Sequence, residues 1–190
     1  MKSDKDKINE VFENVNYSIE NPDEMYDDGS DNAIDLDGDL TIGEYSIEPK
    51  ANLKGADLSG CNLKGAELEE ADLSGANLTG TQLQGANLEG ARLSGANLER
   101  ANLAGANLTE AWLDDTNLKK ANLTNSNLTF AILEGADLTN ANLQGADLSD
   151  AFCDGAIFKG ARLYTMDLDS VDLSLAKMTG ALLPDGSIHD

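Results

Sequence analysis

The feature that most constrains this chain is a period of five, which runs from Ala51 to Leu183 without an insertion or deletion. The unit reads Ala, Asn or Asp, Leu and two variable residues, as in Ala51-Asn52-Leu53-Lys54-Gly55 and Ala76-Asn77-Leu78-Thr79-Gly80. Its 27 copies carry Leu at the centre in 24, the exceptions being Cys153, Phe158 and Met178, and Ala two residues earlier in 21. Neither common element can use such a pattern. Five residues advance about 140° around an α-helix, so the leucines would spread over every side. On a flat strand an odd period throws successive leucines onto opposite faces. Leu stays inside only if the chain turns once per repeat. All fourteen glycines between residues 51 and 183 stand two after the centre, where a tight turn profits from free φ.

On these residues the chain resembles the pentapeptide-repeat family, and the resemblance covers 133 of 190 residues. The Leu-centred, Ala-Asn/Asp-Leu style is similar to that of cyanobacterial members. The resemblance implies an all-β fold, a right-handed quadrilateral β-helix with four repeats per coil and about seven coils from 27 copies. At about 4.8 Å between stacked strands the stem would rise roughly 32 Å. The central Leu and the Ala before it point inward, and the other three positions face water.

Such an interior leaves little room for chemistry. A column of Leu and Ala holds no titratable group, and each buried Leu contributes about 1.5–3 kcal/mol of stability. The single histidine, His189, is next to last. No Ser/His/Asp or Cys/His set, phosphate loop or zinc motif is present, so no catalytic residue, cofactor or metal site is expected. Cys61 and Cys153 give neither a disulfide framework nor zinc spacing.

The charge excludes another class. The formal net charge is −22; residues 1–50 hold four Lys against fifteen Asp or Glu, and residues 51–190 nine Lys or Arg against twenty. Direct nucleic-acid binding needs clustered Lys and Arg, so a basic partner, or a surface that normally binds DNA, fits better. No apolar run approaches the roughly 18 residues of a membrane span, and Met1–Val11 has no signal-peptide core. The expected location is cytoplasmic, with no membrane partner.

Three regions follow. Residues 1–50 form an acidic extension expected to be partly helical and to cap the first coil. Ile8, Val11, Phe12 and Val15 have helical spacing with Ser3 or Asp4 as caps, and residues 20–39 are acidic and irregular. Leu40, Ile42, Tyr45 and Ile47 are placed to cover the first coil. The stretch Asp35-Leu36-Asp37-Gly38-Asp39-Leu40 with Glu44 resembles part of an EF-hand loop, but Ala33 stands at the first ligand position. A turn into a capping strand is therefore expected over a calcium site. Residues 51–183 form the β-helix, and 184–190 a tail whose Pro184-Asp185-Gly186-Ser187 reads as a polar stop. Met166, Val171 and Leu182 break the pattern near that end, either filling a tapering last coil or forming an apolar end face for a dimer; the cap is favoured over the dimer.

With the register set, the outside reads as columns twenty residues apart. The position before each Leu is Asn or Asp in 17 of 27 copies; the apolar exceptions are Trp112, Ile132, Phe152, Ile157 and Leu182. Trp112, Ile132 and Phe152 are spaced by twenty and should stack on one face, with Phe130 at the adjoining corner. Asp114, Glu134 and Asp154 form a second column there, and Glu110, Asp115 and Asp150 border it. An apolar ridge edged by acids suits a basic protein partner with an apolar anchor. The same stack could instead tie neighbouring coils together, or be covered by the helix near Ile8–Val15.

The leading functional expectation is a non-enzymatic protein–protein interaction scaffold using this ridge. The alternative is a DNA-mimicking modulator of a type II topoisomerase such as DNA gyrase, which the resemblance makes available and the charge agrees with. Against it stand a single central Phe, Phe158, and only seven residues after Leu183, where such members often carry central Phe and a dimerising extension. A mineral or ice surface is poorly served, because the column at Asn62, Asn102, Asn122 and Asn142 is broken by Gln82 and Arg162. Asp147 and Asp167 pair like charges on another face without converging oxygens for a cation.

Overall fold

Each five-residue unit contributes one short extended step and one tight corner, and the corner needs a left-handed residue. The structure is a computed structural model that describes residues 40–42, 45–164 and 171–189. At one such corner Gly55 takes φ 68°, and the Ala56 N–H donates to the Leu53 carbonyl at 3.0 Å. Ten non-glycine residues hold the same conformation at equivalent positions, from Asp115 at 53° to Lys50 at 66°. The extended step pairs in parallel with the step twenty residues on, from Asn52↔Asp72 to Arg162↔Leu182. A twenty-residue spacing with five residues per side gives four sides per coil. Typical rungs are Leu53 N–H to the Asp72 carbonyl at 2.8 Å and Asp72 N–H to the Ala51 carbonyl at 2.9 Å.

The stacked steps aim Leu and Ala inward, and from Leu53 to Leu163 the central residues are buried, with Phe158 and Cys153 taking their places in the column. Three hydroxyls stand where Ala is usual and are satisfied internally. Thr81 and Thr116 donate to the carbonyls of Leu58 and Leu93 at 2.8 and 2.9 Å, and Ser126 to that of Leu123 at 2.8 Å. Burial therefore leaves these hydroxyls paired.

The position before Leu departs from the sequence expectation. It was expected to face water, yet most of its Asn residues are only half-exposed because their amides are spent on structure. The Asn97 Oδ1 accepts the Glu99 N–H at 3.2 Å and also the Asn117 Nδ2 at 2.9 Å, one coil on. Asn122 donates likewise to Asn102 at 3.0 Å, and Asn107 to Asn87 at 3.1 Å. An Asx turn and a rung of an amide ladder are thus made by one side chain.

Asp uses the same geometry with a charge. Asp72 sits below the usual carboxylate range because the Ser74 hydroxyl and then the Ser74 N–H bond to it, with Lys54 and Arg92 adding attraction. A carboxyl whose folded pKa lies below its unfolded value of 3.8 stabilises the fold above that value, and the contribution fades as pH falls through the folded pKa. Asp72→Asn is therefore expected to be less stable than wild type at about pH 6 and to converge with it at about pH 2. Urea titration at both values checks this; a constant gap would contradict it.

The two ends close differently. At the N-terminal end, β1 (Leu40–Ile42) pairs antiparallel with β2 (Tyr45–Ile47). Ile47 is buried in the core cluster, and Tyr45 packs against it. At the other end, residues 183–187 turn the chain back, with the Leu183 N–H on the Ser187 carbonyl at 2.9 Å. Ile188 then pairs antiparallel with Leu182, and Gly180 N–H donates to the His189 carbonyl at 2.7 Å. The tail thereby covers one edge of the last coil. The expected helix at 8–15, the irregular stretch at 20–39, most of the EF-hand-like segment, Met166 and Asp167 lie outside the described residues.

Candidate functional site

The ladder of bridges brings Arg92, Trp112, Ile132 and Phe152 into one continuous column. Trp112 is 47% exposed, Phe130 48% and Phe152 56%, whereas Ile132 is half-buried between its aromatic neighbours. Glu134 and Asp154 are exposed beside the column. Asp114 is half-buried and accepts the Ser94 hydroxyl at 2.6 Å, so part of its capacity is used within the wall. Glu110, Asp115 and Asp150 occupy corners at φ 58°, 53° and 58° and are exposed.

Two residues that sequence reasoning left out belong to this face. Arg92, twenty before Trp112, places its guanidinium carbon 5.4 Å from the indole centroid, a cation–π contact. It anchors the start of the ridge internally. Asp172, twenty after Phe152, lines a pocket of about 470 Å³ at the other end, with Phe130, Phe152, Cys153, Asp150 and Asp154. The twenty-residue column rule was signal enough for both.

Several of these residues forgo a stabilising device. Phe130 holds φ 59° at a corner that is Gly in 14 of 27 copies. For a bulky residue the left-handed region costs about 1–2 kcal/mol. Trp112, Ile132 and Phe152 replace the Asn or Asp whose side chain would accept the N–H two residues on. Among the described residues nine other non-glycine residues hold left-handed corners, and Phe130 is the aromatic one of the ten.

The chemistry available is binding chemistry. Burial, then the nearby Asp154 and Asp172 carboxylates, push the Cys153 thiol up to about 12. It is therefore a neutral thiol at the pocket floor and a poor nucleophile. Among the described residues no group of three or more His, Cys, Asp or Glu could hold a metal ion, and no helix is long and apolar enough to cross a membrane.

The molecule is thus a β-helical solenoid with a regular amide-laddered wall and one irregular aromatic and acidic face. The family model for pentapeptide repeats matches it in 8 copies across residues 51–90, 81–119, 116–152 and 146–183. The chain belongs to the pentapeptide repeat family, whose fold is the right-handed quadrilateral β-helix. It is similar to a pentapeptide repeat protein of the Arabidopsis thaliana thylakoid lumen, 30% identical over 62% of this chain and 83% of that one, with a TM-score of 0.55. It is also similar to HetL, involved in heterocyst differentiation regulation in the cyanobacterium Nostoc sp. strain PCC 7120, 36% identical over 73% of this chain and 76% of that one (TM-score 0.33). QnrB1, a plasmid-mediated fluoroquinolone resistance protein, matches at 19% identity over 74% and 81% (TM-score 0.47). Comparison with curated proteins gave no match.

Proposed function

We propose that this protein is a non-enzymatic interaction scaffold that binds a basic protein partner through Trp112, Ile132, Phe152 and Phe130, edged by Asp114, Glu134 and Asp154. The observation that carries this reading is the left-handed, exposed Phe130 beside an exposed aromatic column. Among the described residues the other left-handed corners hold Gly or a polar or charged residue, so an aromatic at this corner beside an aromatic column is what sets this face apart. Aromatic anchors ringed by charge are what interface hot spots are made of. The charge of −22 supports a basic partner. Cytoplasmic location is part of the same proposal, in keeping with the buried thiol of Cys153.

The Trp112→Glu, Ile132→Glu double variant is expected to weaken capture of the partner at least about a hundredfold while leaving the β-helix circular dichroism spectrum unchanged. Equal capture by wild type and variant would reject the ridge. The alternative, a DNA-mimicking modulator of a type II topoisomerase, draws support from the same net charge. A gyrase supercoiling assay separates the two, because a scaffold for another partner leaves supercoiling untouched at micromolar protein.

A further inference from the structure

The backbone beneath the ridge is fully engaged. Trp112 N–H donates to the Ala91 carbonyl at 2.9 Å, and the Trp112 carbonyl accepts the Leu93 N–H at 2.7 Å. Ile132 is held in the same way by Ala111 and Leu113, and Phe152 by Ala131 and Leu133, at 2.9 and 2.7 Å in each case. At these three positions the face therefore offers a partner side chains and no open main-chain groups. A segment that settles on apolar side chains loses water from its own N–H and C=O groups and must satisfy them internally. An α-helix does so within the segment itself, and a single strand does not.

Spacing selects the same element. Trp112, Ile132 and Phe152 lie in successive coils, about 4.8 Å apart, so the ridge spans about 9.6 Å from first to last. Residues recurring every three and four along an α-helix rise about 5.3 Å per step and about 10.5 Å over two, a mismatch of about 1 Å that side chains absorb. Alternate residues of a strand lie about 6.7 Å apart and about 13.4 Å over two steps, nearly a whole coil too long. Charge sets the direction. Glu110, Trp112 and Asp114 share one level, Phe130, Ile132 and Glu134 the next, and Asp150, Phe152 and Asp154 the third, with no Lys or Arg among the nine. The apolar line is one residue wide, broadened only by Phe130, and acids stand on both sides of it. A helix laid across the stem would drive its apolar stripe into those acids, whereas one laid along the stem keeps the stripe on the ridge.

We propose, resting on the ridge as the docking face, that the segment it takes is a basic amphipathic α-helix of a partner protein, laid along the stem axis. Apolar residues at i, i+4 and i+7 of that helix meet Trp112, Ile132 and Phe152 in turn, with Phe130 packing beside the middle one. Lys or Arg on the two borders of the stripe meet Glu110 and Asp150 on one side and Asp114, Glu134 and Asp154 on the other. Arg92, 5.4 Å from the Trp112 ring, marks the lower limit of the footprint, since its charge repels a further basic turn. The chain's own residues 8–15 have helical spacing but carry Glu10 and Glu13 and no Lys or Arg, which sets acid against acid. A second copy, carrying −22, is repelled as well.

The test uses the full chain and two capped peptides of identical composition, ARLRAKLAALKARLK and ARLRLKAAAAKLRLK. The first lines its leucines along one helical face between basic borders; the second sets them at alternate positions, so that a helix splits them between two sides. Equal composition cancels the general attraction of a basic peptide to an acidic protein. Titration calorimetry is expected to show the first binding at least about tenfold more tightly, and circular dichroism a gain in helical signal over the sum of the parts. Trp112→Asn, Ile132→Asn puts the wall's usual residue into the column and leaves the charge unchanged. It should weaken the first peptide at least about tenfold, and Glu134→Gln, Asp154→Asn at least about threefold. Equal binding of the two peptides, both lost on the Trp112 and Ile132 substitutions, would overturn the helix while keeping the ridge as a docking face. Binding without the gain in helical signal, or no binding at millimolar peptide, would overturn the helix too. Undiminished binding to the Trp112 and Ile132 variant would overturn the ridge along with it.

Discussion

Leu103→Ala is expected to lower the stability of the β-helix by about 2–5 kcal/mol, and Leu183→Ala to cost well under half of that. Leu103 is fully buried, whereas Leu183 at the end of the stem is only partly so. Removing three carbons from the middle of a stacked column leaves a cavity that neighbouring coils cannot close, because rungs on all four sides hold them at a fixed spacing. At the end, tail and solvent can relax into the gap. Each coil of a solenoid touches only its neighbours, so a central cavity also weakens the coupling of the two halves. Urea denaturation followed by circular dichroism gives both midpoints. Equal losses at the two positions would mean that stability is not concentrated in the middle of the column.

Gly105→Val is the second large effect, a loss of about 1–2 kcal/mol, with Gly105→Asn close to wild type. A Cβ at Gly105 meets nothing within 4 Å, so the cost comes from the backbone, which holds φ at 67°. A β-branched side chain suits that region least, whereas Asn visits it readily. Part of the strain is offset, since replacing Gly removes about 0.5–1 kcal/mol of unfolded-state freedom. The next corner in the column is Asn125, at φ 56°, which shows that the wall accepts Asn there. Thermal unfolding of the pair checks the ranking; a Val variant as stable as the Asn variant would place the corner outside the left-handed region.

Much of this was legible because a five-residue period keeps Leu inside only if the chain turns once per repeat. The inward Leu and Ala and the corner glycines follow from that turn, while the gathering of Trp112, Ile132 and Phe152 on one face follows from the four repeats per coil that the family resemblance implies. The role of Asn before each Leu was not legible as more than solubility. Its second function, joining Asn97 to Asn117 or Asn102 to Asn122, needs the rise between coils as well as the register. Val171 was visible as an irregular residue, whereas its partial burial against the core beside Leu173 is a matter of packing. Pro184 and Gly186 marked a stop, while the pairing of Ile188 with Leu182 is a tertiary outcome. At the ridge, counting placed the residues; that Arg92 lies on Trp112 depends on the rotamer of a long side chain.

The rule that each residue pairs with the one twenty further on has a consequence for how such a chain can change over generations. Duplicating twenty residues in register adds a storey and leaves every face where it was. Duplicating only five keeps the interior equally sound, yet turns everything beyond the insertion by one side, carrying the aromatic face round to a new compass point relative to the N-terminal end. Genetic slippage in units of one repeat can therefore re-aim a binding surface without redesigning it, much as a key is recut by shifting its teeth along the blade.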